Sequence, residues 1–430
     1  MTTLDATVPA AAAGPPMPLH GAARFVGKTG AFLRLLIHGS LLLLVTLGIY
    51  RFWLTTDVRR FLWSNTELAG ESFEYTGTAR ELLLGFLFAI AVLVPIYAAL
   101  FALSLDLGLV GKLSGVIAFV LLAVLGQFAI YRARRYRLTR TVYRGVRFHQ
   151  SGSGWHYAIC ALFWWMMIAL TLGLAYPFAQ SRLERFKMRN TFFGNLPGRF
   201  EGSGLRLFFR GLLMWLIVVG PFAATLLVVV ATVDWPAVVA VIGRAGALNA
   251  ETGELLEAAT PGLAVKIGFM IGALVWSMLM GLILYPVFQA MVLRWWASGL
   301  RFGELSLKSR LRTGAVYGAY ARFLGLSLLF SLLLASLLGM VMGLVSVTVS
   351  ARDAFAGQIV QAVVGIVAYV VLMLGYSVIN QVVVRLALWR FVVESLDISG
   401  LSALDRVTGE GQPSSAFGEG LADALNVGGL

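Results

Sequence analysis

Charge is the first thing this chain has little of. Only 13% of its 430 residues are Asp, Glu, Lys or Arg, and 59% are hydrophobic, against roughly 25% and 45–50% in soluble globular proteins. That balance excludes an ordinary water-soluble domain and, equally, a disordered chain, which is poor in apolar residues and rich in charge. Cysteine is nearly absent: Cys160 stands alone, which rules out a disulfide scaffold. Acid is the scarcer charge, 21 Asp+Glu against 34 Lys+Arg. In a polytopic membrane protein, basic residues collect on the cytoplasmic side for topological reasons, so the excess argues for a membrane and against nucleic acid. Residues 1–23 have neither the basic start nor the apolar run of a signal peptide and read as a disordered tail. The Gly-, Ser- and acid-rich stretch 399–430 reads as a second, flexible one.

What is abundant is long apolar sequence. Eight stretches approach or exceed the ~20 residues that cross a bilayer as helix: 32–53, 82–105, 113–131, 156–178, 207–231, 264–290, 323–348 and 358–384. The fold class is therefore an all-α polytopic membrane protein, with a membrane domain over 24–398. The connections 104–114, 232–263 and 349–357 hold only Lys112, Arg244 and Arg352 as basic residues, whereas 51–81, 131–155, 180–210 and 291–322 are strongly basic. The positive-inside rule puts the basic connections and both termini in the cytoplasm. Plain alternation then fails at the first and fourth segments, which are basic at both ends. Six clear spans result, with those two segments re-entrant or interfacial, or else ordinary spans that break the charge rule locally. Each carries a candidate break, Thr46-Leu47-Gly48 and Thr171-Leu172-Gly173.

A module recurs in the basic regions. Arg60-x4-Asn65-Thr66-x3-Gly70-x2-Phe73 is echoed by Arg135-x4-Arg140-Thr141-x3-Gly145-x2-Phe148, and Arg185-x4-Asn190-Thr191 opens a third, stretched copy. We expect a helix leaving the bilayer, a stop, then small β-turn or hairpin pieces. These residues resemble a known family. TLGIYRFWLTTDVRRFLWSNTELAGESFEYTG (46–77), preceded by FVGKTGAFLRLLIHG (25–39), is similar to the recurring element of the YjgN family of bacterial inner-membrane proteins, which has no established biochemical function. The resemblance implies a multipass protein of the bacterial cytoplasmic membrane and carries over no catalytic residue.

Ionisable groups inside an apolar segment are functional candidates, because burying them in lipid is costly. Arg34 and His38, four residues apart on one helical face, are a candidate intramembrane polar site or, more conservatively, a snorkelling arginine and a capping histidine. Arg59, Arg60, Arg134, Arg135, Arg137, Arg140, Arg185 and Arg189 are candidate contacts to anionic lipid or a partner protein, since each basic residue near an acidic leaflet contributes about 1 kcal/mol. Gly268-x3-Gly272 and Gly339-x3-Gly343 permit close helix approach and a homo-oligomer. There is no phosphate loop, no His-Glu-x-x-His motif and no carboxylate pair in a hydrophobic segment. We therefore expect no enzyme, no metal and no cofactor. Two functions fit: a transporter- or permease-like protein, or a non-catalytic scaffold that binds anionic lipids or partner proteins through its basic modules.

Overall fold

The strands are too short to stand alone and are organised by what lies between them. In the computed structural model, which describes residues 20–105, 108–245, 250–411 and 413–427, five helical excursions each leave one strand and return to its neighbour. The first runs from β1 (His20–Phe25) through α1 (Thr29–Val45) and α2 (Arg51–Ser64) to β2 (Thr66–Leu68). After β3 (Glu71–Ser72) and β4 (Glu74–Tyr75), the second passes through α3 (Ala79–Ser104) and α4 (Leu109–Thr139) to β5 (Thr141–Tyr143). From β6 (Val146–Gln150), α5 (Gly154–Leu170) and α6 (Tyr176–Arg189) lead to β7 (Thr191–Phe193). The fourth is the longest, from β8 (Leu196–Phe200) through α7 (Gly204–Val218), α8 (Gly220–Thr232), α9 (Trp235–Ala245), α10 (Ala250–Ala259) and α11 (Leu263–Gly299) to β9 (Leu300–Phe302). The last leaves β10 (Leu305–Ser309) through α12 (Thr313–Val345), α13 (Ala354–Ile379) and α14 (Leu386–Glu394), and arrives at β11 (Leu396–Ser399).

At every excursion the last residue out faces the first residue back: Phe25↔Thr66, Tyr75↔Thr141, Gln150↔Thr191, Phe200↔Leu300 and Ser309↔Leu396. All strands join in one antiparallel eleven-stranded sheet whose edges are β3 and β4. Those edges are separated by Phe73 alone, so the sheet is a ring closed by covalent chain rather than by a ladder, with Phe73 N–H donating to Thr66 O at 3.1 Å. Rings of Phe73, Tyr143, Phe193, Phe148 and Phe302 meet in sequence along it in tilted or edge-to-face contacts, with centroids 4.6–6.1 Å apart. The separate turn pieces expected from the sequence are thus parts of a single sheet. Two of its turns, Ala69-Gly70 and Arg144-Gly145, have both residues at positive φ, the geometry that matches strand twist.

Among the described residues, five helices are long and apolar enough to cross a membrane, six if the pair α7 and α8, bent by 65°, counts as one span. The segments 32–53 and 156–178, set apart from the six clear spans in the sequence, do not form single long helices. Each is two short helices folded around a break, with Leu47 (φ 50) and Gly48 (φ 94) in one and Leu172 (φ 49) and Gly173 (φ 94) in the other. Thr46 and Thr171 hold the breaks identically. Each hydroxyl donates to the carbonyl four residues back at 2.7 Å and accepts the N–H four residues ahead at 3.0 Å.

Within the C-terminal stretch 399–430, expected to be flexible, two pieces are folded, while 412 and 428–430 lie outside the described residues. A 3₁₀ turn, Leu401–Arg406, buries Leu401, Ala403 and Leu404 in the same core as Tyr143, Phe193 and Ile398. Helix α15 (Phe417–Ala424) then inserts between α3 and α4. Its Leu421 and Ala422 are buried against Ala89, Leu93, Ala129 and Ala133, and glycine permits the approach: a Cβ on Gly420 would overlap the Gly85 backbone, and one on Gly418 the Arg132 backbone. Of the N-terminal tail, residues 1–19 lie outside the described residues and 20–23 belong to β1.

Candidate functional site

The basic residues of the modules do not form one exposed patch. Helix α2 ends where Asn65 donates its amide to Phe61 O at 2.7 Å and Thr66 its hydroxyl to Leu62 O at 2.7 Å. Asn190 and Thr191 repeat this on Phe186 O and Lys187 O at 2.8 and 2.7 Å, and Thr141 does so on Arg137 O at 2.9 Å. The residues that define the module are therefore helix-to-strand corners, with Gly70, Gly145, Phe73 and Phe148 forming the turns and aromatic filling that follow.

These corners turn several arginines inward. Arg59, only 3% exposed, pairs with Glu419 of α15 and donates to the Tyr75 hydroxyl at 3.1 Å. Arg137 approaches the other oxygen of Glu419 at 3.6 Å. Burial alone would lower the Arg59 pKa, but the Glu419 carboxylate and Tyr75 overcome it and hold the group above its ordinary value. Arg140 and the Tyr136 hydroxyl share Glu81, each at 2.8 Å. Further along α4, Arg134 reaches Met188 Sδ at 3.4 Å. Glu184 pairs with Lys187 and accepts from the Trp296 indole at 3.2 Å. Burial pushes the Lys187 ammonium below its usual value against the opposing pull of Glu184. Chemically this is a clamp: each carboxylate is already engaged by the cations that α2, α4 and α6 direct at it.

Arg60, Arg185 and Arg189 are exposed, and Arg135 is half-buried. Arg34 and His38 both lie on the exposed face of α1. Sequence reasoning missed Glu81, Glu184 and Glu419, the anions on which the clamp depends. Glu81 is marked by a Thr78-x-x-Glu81 capping box at the start of α3, whereas Glu419 carries no local signal.

One concave feature among the helices is apolar. A cavity of about 330 Å³ lies between the α5–α6 break, the α7–α8 bend and α11, lined by Leu172, Phe208, Gly211, Trp215, Phe288 and their neighbours. Its volume falls in the range of small-molecule pockets, about 300–1,000 Å³. The break at Leu172 frees a backbone carbonyl, and the Trp215 indole N–H donates to that oxygen at 2.7 Å. Only Tyr176 and Tyr285 bring hydroxyls to the lining.

Between α10 and α11, Glu257 accepts the N–H groups of Gly262 and Ala264 at 2.7 and 2.8 Å. It caps the start of α11. Among the described residues no group of His, Cys, Asp and Glu is arranged to hold a metal.

A ring of short strands with basic helical corners and several apolar helices is the architecture of an integral membrane protein, and the chain belongs to a bacterial family of unknown function, DUF898, matched over residues 20–424. It is similar to the inner membrane protein YjgN of Escherichia coli (strain K12), 28% identical over 153 residues. That match covers 35% of this chain and spans 35% of the length of YjgN. No solved structure matches the chain.

Proposed function

We propose that this is a non-catalytic protein of the bacterial inner membrane that binds a lipid acyl chain at helix depth. The observation that carries the reading is the cavity at the α5–α6 break. Its one freed carbonyl is satisfied by Trp215, so a polar solute entering would find almost nothing to replace its water. An alkyl chain, which carries no hydration to lose, packs against that apolar lining without leaving any polar group unpaired.

In this reading the sheet lies on the cytoplasmic side, because the basic connections are the ones that run through it. All five excursions start and end at the sheet, so α1–α2 and α5–α6 enter the membrane and return. The apolar tip of the first hairpin supports this, with Leu47 94% exposed. The matching breaks and corners support an origin of the modules as copies of one unit. They also favour a second reading, a transporter-like protein whose two hairpins flank a lipid or other apolar cargo.

The test is a photoactivatable phospholipid in vesicles containing the full-length protein. Crosslinks concentrated on 168–177, 207–219 and 281–291, and reduced by Gly211→Leu, are expected. Crosslinks spread evenly over the apolar helices and indifferent to that change would refute an acyl-chain site. Movement of a labelled lipid between leaflets, dependent on the same cavity, would select the transporter reading.

A further inference from the structure

A second groove, lined by different helices, carries charge where the first carries none. Helix α12 bears Arg322 in its third turn, exposed and without an acidic partner among the described residues; its guanidinium donates to Gly318 O of its own helix at 3.1 Å. That contact draws the side chain back toward the sheet, as an arginine reaching for an interface does. Facing it from α14, Arg390 is fixed by a hydrogen bond to Gly27 O at 2.9 Å and by Phe25, 5.4 Å beneath its guanidinium. Between them lies the first turn of α1, whose N-cap Lys28 supplies no side-chain cap and whose Gly30 borders open space. Thr29, the first residue of this 17-residue helix, lines the groove, which places the positive end of the helix dipole beside it. The groove holds about 220 Å³ and continues away from the sheet over Leu326, Val382, Val383 and Leu386. Glu394 lies 3.6 Å from Arg390, on its own helix.

We propose that this groove between α1, α12 and α14 is a binding site for an anionic phospholipid of the sheet-side leaflet. Its phosphate sits between Arg322, Arg390 and the start of α1, and an acyl chain lies along Leu326 and Val382. Two guanidiniums and an uncapped helix start match a phosphate, and the apolar wall that adjoins them matches a lipid rather than a free ion. The site is independent of the acyl-chain cavity and stands or falls separately from it.

The experiment is native mass spectrometry of the full-length protein in detergent, titrated with dioleoyl phosphatidylglycerol, dioleoyl phosphatidylcholine or inorganic phosphate. Selective retention of phosphatidylglycerol is expected. Arg322→Gln should weaken it about fivefold, the effect of one basic residue near an anionic headgroup, with the unfolding temperature unchanged because only Gly318 O loses a contact. Leu326→Trp, which fills the apolar arm, should weaken it as well. Equal retention of the two lipids, undiminished retention in both variants, or displacement of the lipid by millimolar phosphate alone would each overturn the assignment. Gly211→Leu, which acts on the other cavity, should leave this binding intact.

Discussion

Replacing Glu419 by alanine tests whether the C-terminal helix is structural. The carboxylate is 9% exposed and faces Arg59, 3% exposed, with Arg137 on its other side. Its removal leaves two guanidiniums close together in a dry environment without their anion. Breaking a buried pair in this one-sided way costs about 3–5 kcal/mol. One helical turn away, Asp423 pairs with Arg51, but these side chains are 40% and 41% exposed. Solvent screens them, and Asp423→Ala should cost no more than about 1 kcal/mol. Two acids on one face of one short helix should thus differ severalfold in effect. The assay is equilibrium unfolding of the purified protein in a mild detergent, followed by tryptophan fluorescence. A double-mutant cycle of Arg59→Met and Glu419→Leu isolates the pair, with an expected coupling of about 0.5–3 kcal/mol. If Glu419→Ala and Asp423→Ala destabilise equally, or neither does, the inserted helix is not held by its buried acid and the argument fails.

Other consequences are equally direct. Gly420→Ala should cost about 1–3 kcal/mol in the same assay, because its Cβ has only the Gly85 backbone to displace, whereas Gly409→Ala, with nothing near it, should be silent. Gly173→Ala at φ 94 should cost about 1–2 kcal/mol through left-handed backbone strain. Glu257 is held below the usual carboxylate range by the N–H groups of Ala264 and Gly262. The stabilisation it gives is present above the unfolded-state value and lost as pH falls through the folded one. Hydrogen-exchange protection of those amides should decline on acidification, and Glu257→Gln should abolish that dependence. In a Cys160→Ser background, cysteines at Arg144, Asn195 and Glu304, all at turns of the sheet, should react with an impermeant thiol reagent from one side of the membrane only. Reaction of any one from the opposite side would contradict a single sheet on one face.

The apolar segments were legible because a membrane helix declares itself within one window of sequence. The breaks at Gly48 and Gly173 were legible as well, since glycine after a threonine in an apolar run is a local signal. The sheet was not. Its strands are two to six residues long, too short for alternation to register, and partners such as His20 and Ser399 lie at opposite ends of the chain. The clamp was hidden for a related reason. Composition shows that Arg59 and Arg137 are basic and near a membrane, and an exposed lipid contact follows naturally from that. Only the fold brings Glu419 to them, from a segment whose glycines and acids suggest disorder when read alone. Those same glycines are what let α15 approach the α3 and α4 backbones.

Strand β1 sits between β2 and β11 in the ring, so the first described strand has one neighbour near the start of the chain and another near its end. At translation rates of about 5–20 residues per second, His20 waits roughly 20–75 s for Ser399 to emerge. Throughout that interval the ring is an open ribbon with an unpaired margin at β1. Helical hairpins can enter the bilayer one excursion at a time, but the sheet cannot close until the last has returned. A truncated chain lacking β11 should therefore be an open-edged, aggregation-prone intermediate and a natural client for quality control, rather than a smaller working version of the protein.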